Sequence, residues 1–525
     1  MLTYDDIPRE FNLTTHFVDR HVEEGRGDRT ALVTDDGPVT YADLAALTNR
    51  VGNALIELGV RQEERVLIAL NDSPEFVASW YASLKIGAVT AEVYTFLAAK
   101  DFAYYLDYTR AAVAIVDVAT LERFREASVG SRYLRRLLVV GAAPGTLRSG
   151  EEHFEALVAA TPDALAPAPT SRDDIAIWKF TTGSTGAPKA CVHRMHVPLI
   201  SAEAYARGVL DIQPDDIVLP VPKLFFGYAR DMTALFPFLV GAAGVVFAQR
   251  TTADGIFERI ERHQPTILVN VPTMMRTMVD HPSAAERDLS GLRLTTSAGE
   301  GLPGELLDRW LSTFGVEVLD GIGSSEAYHI YVSSRPGAVR PGSLGQAVPG
   351  YEGRIVDAAG VELPVGETGR LWVKAPTAAV MYFNDRAKSV ETYAGELVMT
   401  GDLFSRDEDG YFWYRGRADE LLKVGGIWVA PAEIETCLRA HPAVTDCAVV
   451  GYEDEGLVKP RAFIVASGDE TPSPELATAL QAHVKSTLSP HKYPRDVRFV
   501  DDLPKLGSGK VDRAQLRRTA PAAAA

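Results

Sequence analysis

The chain has 525 residues, longer than a single hydrophobic core supports, so two or more domains are expected. Its 46% hydrophobic and 23% charged residues exclude a disordered polar chain and fit a globular one. A net charge of −17 argues against a nucleic-acid partner, because binding a phosphate backbone leaves a basic footprint.

From the N-terminus, residues 1–17 are polar and acidic and do not suit a secretory signal. Residues 30–33 and 39–41 read as strands joined at Asp35, Asp36 and Gly37. Thr40 can then cap a helix, with Asp43 three residues on as in a capping box. Leu44, Val51, Leu55 and Leu58 recur at helical spacing, and Gly59 ends the run. Residues 65–70 read as a buried strand and 73–86 as a helix stopping at Gly87. Strands alternating with helices continue to about residue 414, which is α/β architecture with mixed sheets. The most apolar stretch, 232–248, contains Pro237, Gly241 and Gly244, so it reads as a buried helix, a turn and a strand, and no membrane partner is expected. The cysteines, Cys191, Cys437 and Cys447, form no CxxC pair, which fits a reducing cytoplasmic setting.

The character changes after Arg415. A charged run leads into Gly425 and Gly426, followed by a helix (431–439), strands (447–452 and 461–465) and a helix (474–489). That is a small α+β unit of about 100 residues. The expected division is a large domain of several subdomains at 1–416, a small domain at 417–518, and a disordered tail at 519–525.

Four motifs carry candidate chemistry. Thr181, Thr182, Gly183, Ser184, Thr185, Gly186 and Lys189 follow a strand-like run, 175–180. Glycines that let backbone approach, hydroxyl donors and a lysine suit a triphosphate. An ordinary polar turn uses the same residues, whereas a Walker loop needs glycine directly before the lysine, where Pro188 stands. Asp320, Gly321, Ile322, Gly323, Ser324, Ser325 and Glu326 put a hydroxyl beside a carboxylate, which suits Mg2+ near phosphates or a capped strand end. Asp402, after Thr400 and Gly401, can accept from ribose hydroxyls, and Arg417 can reach phosphate. Lys510 ends a glycine-rich segment near the C-terminus.

Together, in this order, the motifs resemble the acyl-adenylate-forming enzymes: acyl- and aryl-CoA ligases, firefly luciferase and the adenylation domains of peptide synthetases. Lys223, Leu224, Phe225 and Phe226, with Ser297 to Glu300 and Gly426 to Val429, are most similar to benzoate–CoA ligases. The resemblance extends to natural-product ligases such as those of platensimycin biosynthesis. It implies ATP, Mg2+ and coenzyme A as cofactors, and a small-molecule carboxylic acid, or its acyl-adenylate, as the partner. A homodimer is compatible with it. The implied reaction joins an aryl or bulky cyclic acid to AMP and then to CoA. Two alternatives stay open: thioester formation from a preformed acyl-adenylate only, and loading of a separate carrier protein.

The resemblance also implies roles. Residues 181–189 hold the β- and γ-phosphates, with Ser325 on phosphate and Glu326 on Mg2+. Gly299, Glu300 and Gly301 line the adenine site, Asp320 and Gly321 also belong to the ATP/AMP site, and Asp402 holds the ribose with Arg417 nearby. Lys510 bridges acid and α-phosphate. Rotation about a hinge at Asp419 then brings Lys423, Gly425, Gly426 and Trp428 to the CoA channel. Phe226, Gly227, Tyr228, Ala298, Gly321 and His329 line the acid pocket. Gly227, where the benzoate enzymes carry alanine, is expected to leave room for a larger acid. Thr182 and Ala190 are each expected to add a methyl near the triphosphate loop, at a cost of about 1–3 kcal/mol if misplaced.

Overall fold

The computed structural model of the chain describes residues 2–181, 187–424, 427–454, 457–468, 470–489, 492–505 and 511–519, without the side chains of residues 423, 427, 428 and 519. Local signals near the N-terminus translate directly. Strands Thr30–Thr34 and Gly37–Thr40 pair antiparallel. The Asp43 N–H donates to the Thr40 hydroxyl, and the Thr40 N–H donates to the Asp43 carboxylate, both at 3.1 Å. This reciprocal cap starts helix Tyr41–Glu57. Helix Pro74–Lys85 begins at the Ser73 cap, and Gly87 follows it with a φ of +73° that a side chain would resist. The apolar stretch resolves into helix Gly227–Ala234, the 3-10 turn Pro237–Leu239 and strand Ala243–Val245.

Two large sheets form the bulk of the chain. Among the described residues, the first has eight strands, ordered Met381–Tyr382, Lys189–Arg194, Ile175–Thr181, Val89–Glu92, Arg65–Ala69, Val113–Asp117, Arg136–Val140 and Glu151–His153. Its interior pairs are parallel and its Ile175–Thr181/Lys189–Arg194 hairpin is antiparallel. The second sheet has nine strands and includes the parallel run Ile217–Pro220, Ile267–Asn270, Leu294–Ser297 and Val318–Gly323. It turns antiparallel at Ile330–Ser333. Parallel strands covered on both faces are buried almost continuously, as Ile267–Asn270 and Leu294–Ser297 are. A third, antiparallel sheet contains Glu352–Val356, Gly369–Lys374, Leu397–Arg406 and Phe412–Arg417.

The C-terminal unit has its own apolar core, which includes Leu422, Ile434, Leu438, Val449, Ile464, Leu480 and Val484. Strands Val444–Asp454, Leu457–Ala466 and Asp496–Phe499 form its sheet, flanked by helices Pro431–Arg439 and Pro474–Thr487. The chain is therefore a large α/β unit of mixed sheets followed by a small α+β unit. Arg276 of the large unit donates to the Thr445 carbonyl of the small one at 2.5 Å. Among the described residues no helix is long and apolar enough to cross a membrane.

Gly345 pins an edge strand, Gln346–Ala347, onto Ile330–Ser333. Its φ is +85°, and a Cβ there would stand 2.2 Å from the Ser333 carbonyl oxygen. Gly345→Ala is expected to lower unfolding free energy by roughly 2–4 kcal/mol, from a left-handed penalty plus overpacking. Urea denaturation followed by far-ultraviolet circular dichroism measures it.

Candidate active site

Two antiparallel corners, one from each large sheet, meet at the turn between Gly323 and Ile330. The first is the hairpin in which Thr181 pairs with Lys189. The second joins Val318–Gly323 to Ile330–Ser333 through a bulged register at Ile322 and Gly323. Gly323 is required there, since a Cβ would lie 2.4 Å from the His329 carbonyl oxygen. The Ser325 hydroxyl donates to the Phe180 carbonyl at 3.2 Å, and His193 Nε2 lies 2.7 Å from the Ser325 carbonyl. The turn is thus tied to the hairpin.

On one side of this turn, the Tyr382 hydroxyl donates to Glu326 Oε1 at 2.7 Å. Lys189 Nζ pairs with Asp385 at 3.1 Å and stands 5.6 Å from the Tyr382 ring centre. The structure therefore brings Lys189, Ser325 and Glu326 into one neighbourhood. Thr182, Gly183, Ser184, Thr185 and Gly186, between the hairpin strands, lie outside the described residues. Ala190 departs from expectation: it is fully buried in an apolar cluster with Trp178 and Val192. Its methyl faces the core.

On the other side lies His329, 4% exposed, with its ring centre 4.7 Å from Phe236 and 5.6 Å from both Tyr205 and Tyr228. Burial pushes its pKa down to about 3, so it is neutral near pH 7. The Tyr228 hydroxyl is 2.6 Å from the Thr296 hydroxyl, and Ala298 is buried one strand-end away. Phe226 packs 4.8 Å, ring to ring, from Tyr94. Gly321 sits tight, a Cβ there meeting the Val332 carbonyl at 3.0 Å. Gly227 corrects the sequence reading. A Cβ on it would meet Lys179 Cε and Nζ at 3.0 Å, so the space a methyl leaves is filled by Lys179 and is not free for a larger ligand.

Beside the corner, Gly299 (φ +88°) and Gly301 are exposed, with nothing within 4 Å of where a Cβ would stand. Glu300 accepts from the Thr273 hydroxyl at 2.6 Å and from its N–H at 3.1 Å. Asp320 is buried opposite Ser297, and desolvation raises its pKa to about 7. Asp402 and Arg417 are ladder partners joined by an ion pair at 3.3 Å. A Cβ on Gly401 would stand 2.6 Å from Arg417 Nη2, so this glycine lets the guanidinium lie over the backbone. Arg417 Nε also donates to Asp419 at 3.0 Å. Gly425, Gly426, Lys510 and the side chains of Lys423 and Trp428 lie outside the described residues. Sequence reasoning missed Tyr382, Asp385, His193 and Lys179. None belongs to a glycine-rich motif, and each reaches the corner only through the fold.

The AMP-binding enzyme family model matches residues 18–383, and the model for the AMP-binding enzyme C-terminal domain matches residues 433–510. The benzoate–CoA ligase of Thauera aromatica is 42% identical, over 97% of this chain and 96% of its own. Among solved structures, the anthranilate CoA ligase AuaEII with anthranoyl-AMP superposes with a TM-score of 0.93, at 36% identity over 98% of both chains. The benzoate CoA ligase of Burkholderia xenovorans superposes at 0.88, with 40% identity over 97% of this chain and 100% of that one.

His193 offers a pH test of how the corner is built. Burial depresses its pKa from 6.5 to about 3. Below about pH 6.5 the unfolded chain takes up a proton that the folded one refuses, so this contribution to stability is lost as pH falls through that range. His193→Gln keeps a donor for the Ser325 carbonyl and cannot titrate. Between pH 7 and pH 5 it is expected to lose about 1–2 kcal/mol less stability than the wild type, measured by urea unfolding at each pH.

Proposed function

The chain belongs to the AMP-binding enzyme family, and from that premise we propose that it is an AMP-forming acid–thiol ligase acting on an aryl carboxylic acid. One observation carries the reading. At one end the turn Ser325–His329 presents a carboxylate bonded to Tyr382, whose ring centre is 5.6 Å from Lys189 Nζ, and at the other an aromatic cage around a neutral histidine. A triphosphate and a planar acid held at its two ends would meet across it. The benzoate and anthranilate CoA ligases to which the chain is similar are named for the same class of acid.

In the first half-reaction the acid's carboxylate attacks the α-phosphate of ATP and pyrophosphate leaves. Fixed donors and cations stabilise the charge that develops on the phosphoryl oxygens. Lys189 and the 181–186 segment take the β- and γ-phosphates, Gly299 to Gly301 the adenine, and Asp402 with Arg417 the ribose. Lys510 takes the α-phosphate and the acid. Among the described residues no group of three His, Cys, Asp or Glu could hold a metal. That suits Mg2+, which commonly takes one or two carboxylates and draws its other oxygens from substrate phosphates and water. Glu326 is the carboxylate. In the second half-reaction the CoA thiol attacks the acyl carbon and AMP leaves. The unit 417–518 turns about Asp419 to replace Lys510 with Lys423, Gly425, Gly426 and Trp428 at the CoA channel.

A panel of benzoate, hydroxy- and aminobenzoates and one polycyclic acid tests this, each supplied as free acid with ATP and as acyl-AMP. At least one monocyclic aryl acid is expected to give its CoA thioester from both forms. Thioester from acyl-AMP alone would establish the adenylation-deficient alternative, and transfer only to a phosphopantetheinylated carrier would establish the other. Lys510→Ala is expected to abolish pyrophosphate exchange while keeping thioester formation from acyl-AMP within about ten-fold. Equal loss of both would remove Lys510 from its role.

Gly401→Ala separates nucleotide binding from folding. The obstacle to its methyl is the flexible end of Arg417, not backbone, so the fold tolerates it while Arg417 is displaced from Asp402. The KM for ATP is expected to rise about ten-fold, with an unfolding midpoint close to wild type.

A further inference from the structure

Behind the aromatic cage lies a buried charge cluster that the reaction does not use. Lys179, 6% exposed, donates from Nζ to Asp231 Oδ2 at 2.5 Å and to the Tyr328 carbonyl at 2.7 Å. The same Nζ stands 3.5 Å from the centre of the Tyr328 ring. The Tyr328 hydroxyl donates back to Asp231 Oδ1 at 3.2 Å. Arg230 completes the set, pairing with Asp231 at 2.8 Å and with Glu92 at 2.8 Å while lying 4.7 Å from the Trp80 ring centre. The charges balance, two against two.

The residue they surround is strained. Tyr328 has a φ of +73°, a left-handed backbone that a bulky residue resists. Among the described residues, the other non-glycine positions with positive φ are Glu63, Arg110, Asp211, Gln264 and Asn384. Those five are exposed, whereas Tyr328 is 2% exposed. Strain of this kind persists only where the surroundings over-determine it, and it gathers at functional sites. The left-handed step at 328 comes two residues after Glu326 and one before His329. Without it the chain could not send Glu326 toward Tyr382 and His329 into its aromatic cage.

We propose that Lys179 and Asp231 are positioning residues: together they grip the carbonyl, ring and hydroxyl of Tyr328 and hold it left-handed, which sets Glu326 for the nucleotide and His329 for the acid. The roles of Glu326 and His329 rest on the ligase reading. Gly227 belongs to the same device, because its missing side chain is where Lys179 passes.

The test uses the full-length double variant Lys179→Met/Asp231→Asn, which removes one charge of each sign and leaves the Arg230–Glu92 pair. Amide hydrogen exchange over residues 324–329 is expected to speed up about ten-fold or more, with neighbouring strands unchanged. MgATP affinity, measured by calorimetry without acid, is expected to weaken about ten-fold. Lys179→Arg, which keeps both donors, is expected to stay within about two-fold of wild type in both. If the double variant does not fold, Asp231→Asn alone is expected to move both readouts in the same direction. Unchanged exchange at 324–329, or acceleration spread equally over Ile175–Thr181 and Gly227–Ala234, overturns the proposal. Should the wild type bind no MgATP, the ATP-dependent half of the ligase reading falls, while the exchange measurement still decides this one.

Discussion

The turn from Ser324 to His329 is held from outside itself, and the candidate site depends on that. Its backbone oxygens at 325, 326, 327 and 328 are met by His193, the Ala379 N–H, the Thr377 hydroxyl and Lys179. A buried turn with unmet carbonyls would cost about 1–3 kcal/mol for each, so the fit of the two sheets and the conformation of the turn stand together. Lys189 lies in one large sheet and Glu326 in a turn between strands of the other. Their proximity is a property of this seam and not of either motif alone.

The parts of the fold legible in sequence are those whose physics is local. The Thr40–Asp43 cap, the Ser73 cap, the stop at Gly87 and the helix beginning at Pro431 each depend on residues within one turn of one another. The glycine motifs were legible for a related reason: a close approach demands glycine, as at Gly323 and Gly401. Gly227 shows the limit. Its lack of a side chain could be seen in the sequence, but what occupies the gap could not, because Lys179 lies 48 positions upstream. Ala190 shows the same limit, since strand alternation turns its methyl into the core while its position in the motif suggests the loop.

The junction of the two units has a comparable economy. Arg417 ends the strand Phe412–Arg417, pairs with Asp402 across the ladder, and reaches forward to Asp419. Glu420, the next residue, pairs with Arg513 at 3.4 Å, and Arg513 also binds Glu435 at 2.7 Å. Two sets of ion pairs, Asp402–Arg417–Asp419 and Glu420–Arg513–Glu435, thus meet at the Asp419–Glu420 peptide. Because these pairs lie at an element boundary, a change in backbone at Asp419 would re-aim Arg417 and Glu420 together. A rotation there would be felt at Asp402 without any contact made by the small unit's sheet.

The buried cluster around Lys179 is costly, and the cost constrains its meaning. Removing four charged side chains from water carries a penalty of several kcal/mol per ion even after relaxation, and apolar residues of similar volume often match or exceed such a set in stability. Stability therefore does not explain why Lys179, Arg230, Asp231 and Glu92 stand there. What an apolar core cannot do is fix the direction of a carbonyl and a hydroxyl at once. Lys179 donates to the Tyr328 carbonyl while Asp231 accepts from its hydroxyl, and the two are bound to each other. The resulting ring of contacts specifies one backbone state where packing alone would leave the turn free to relax to negative φ, and it does so at Tyr328, between Glu326 and His329.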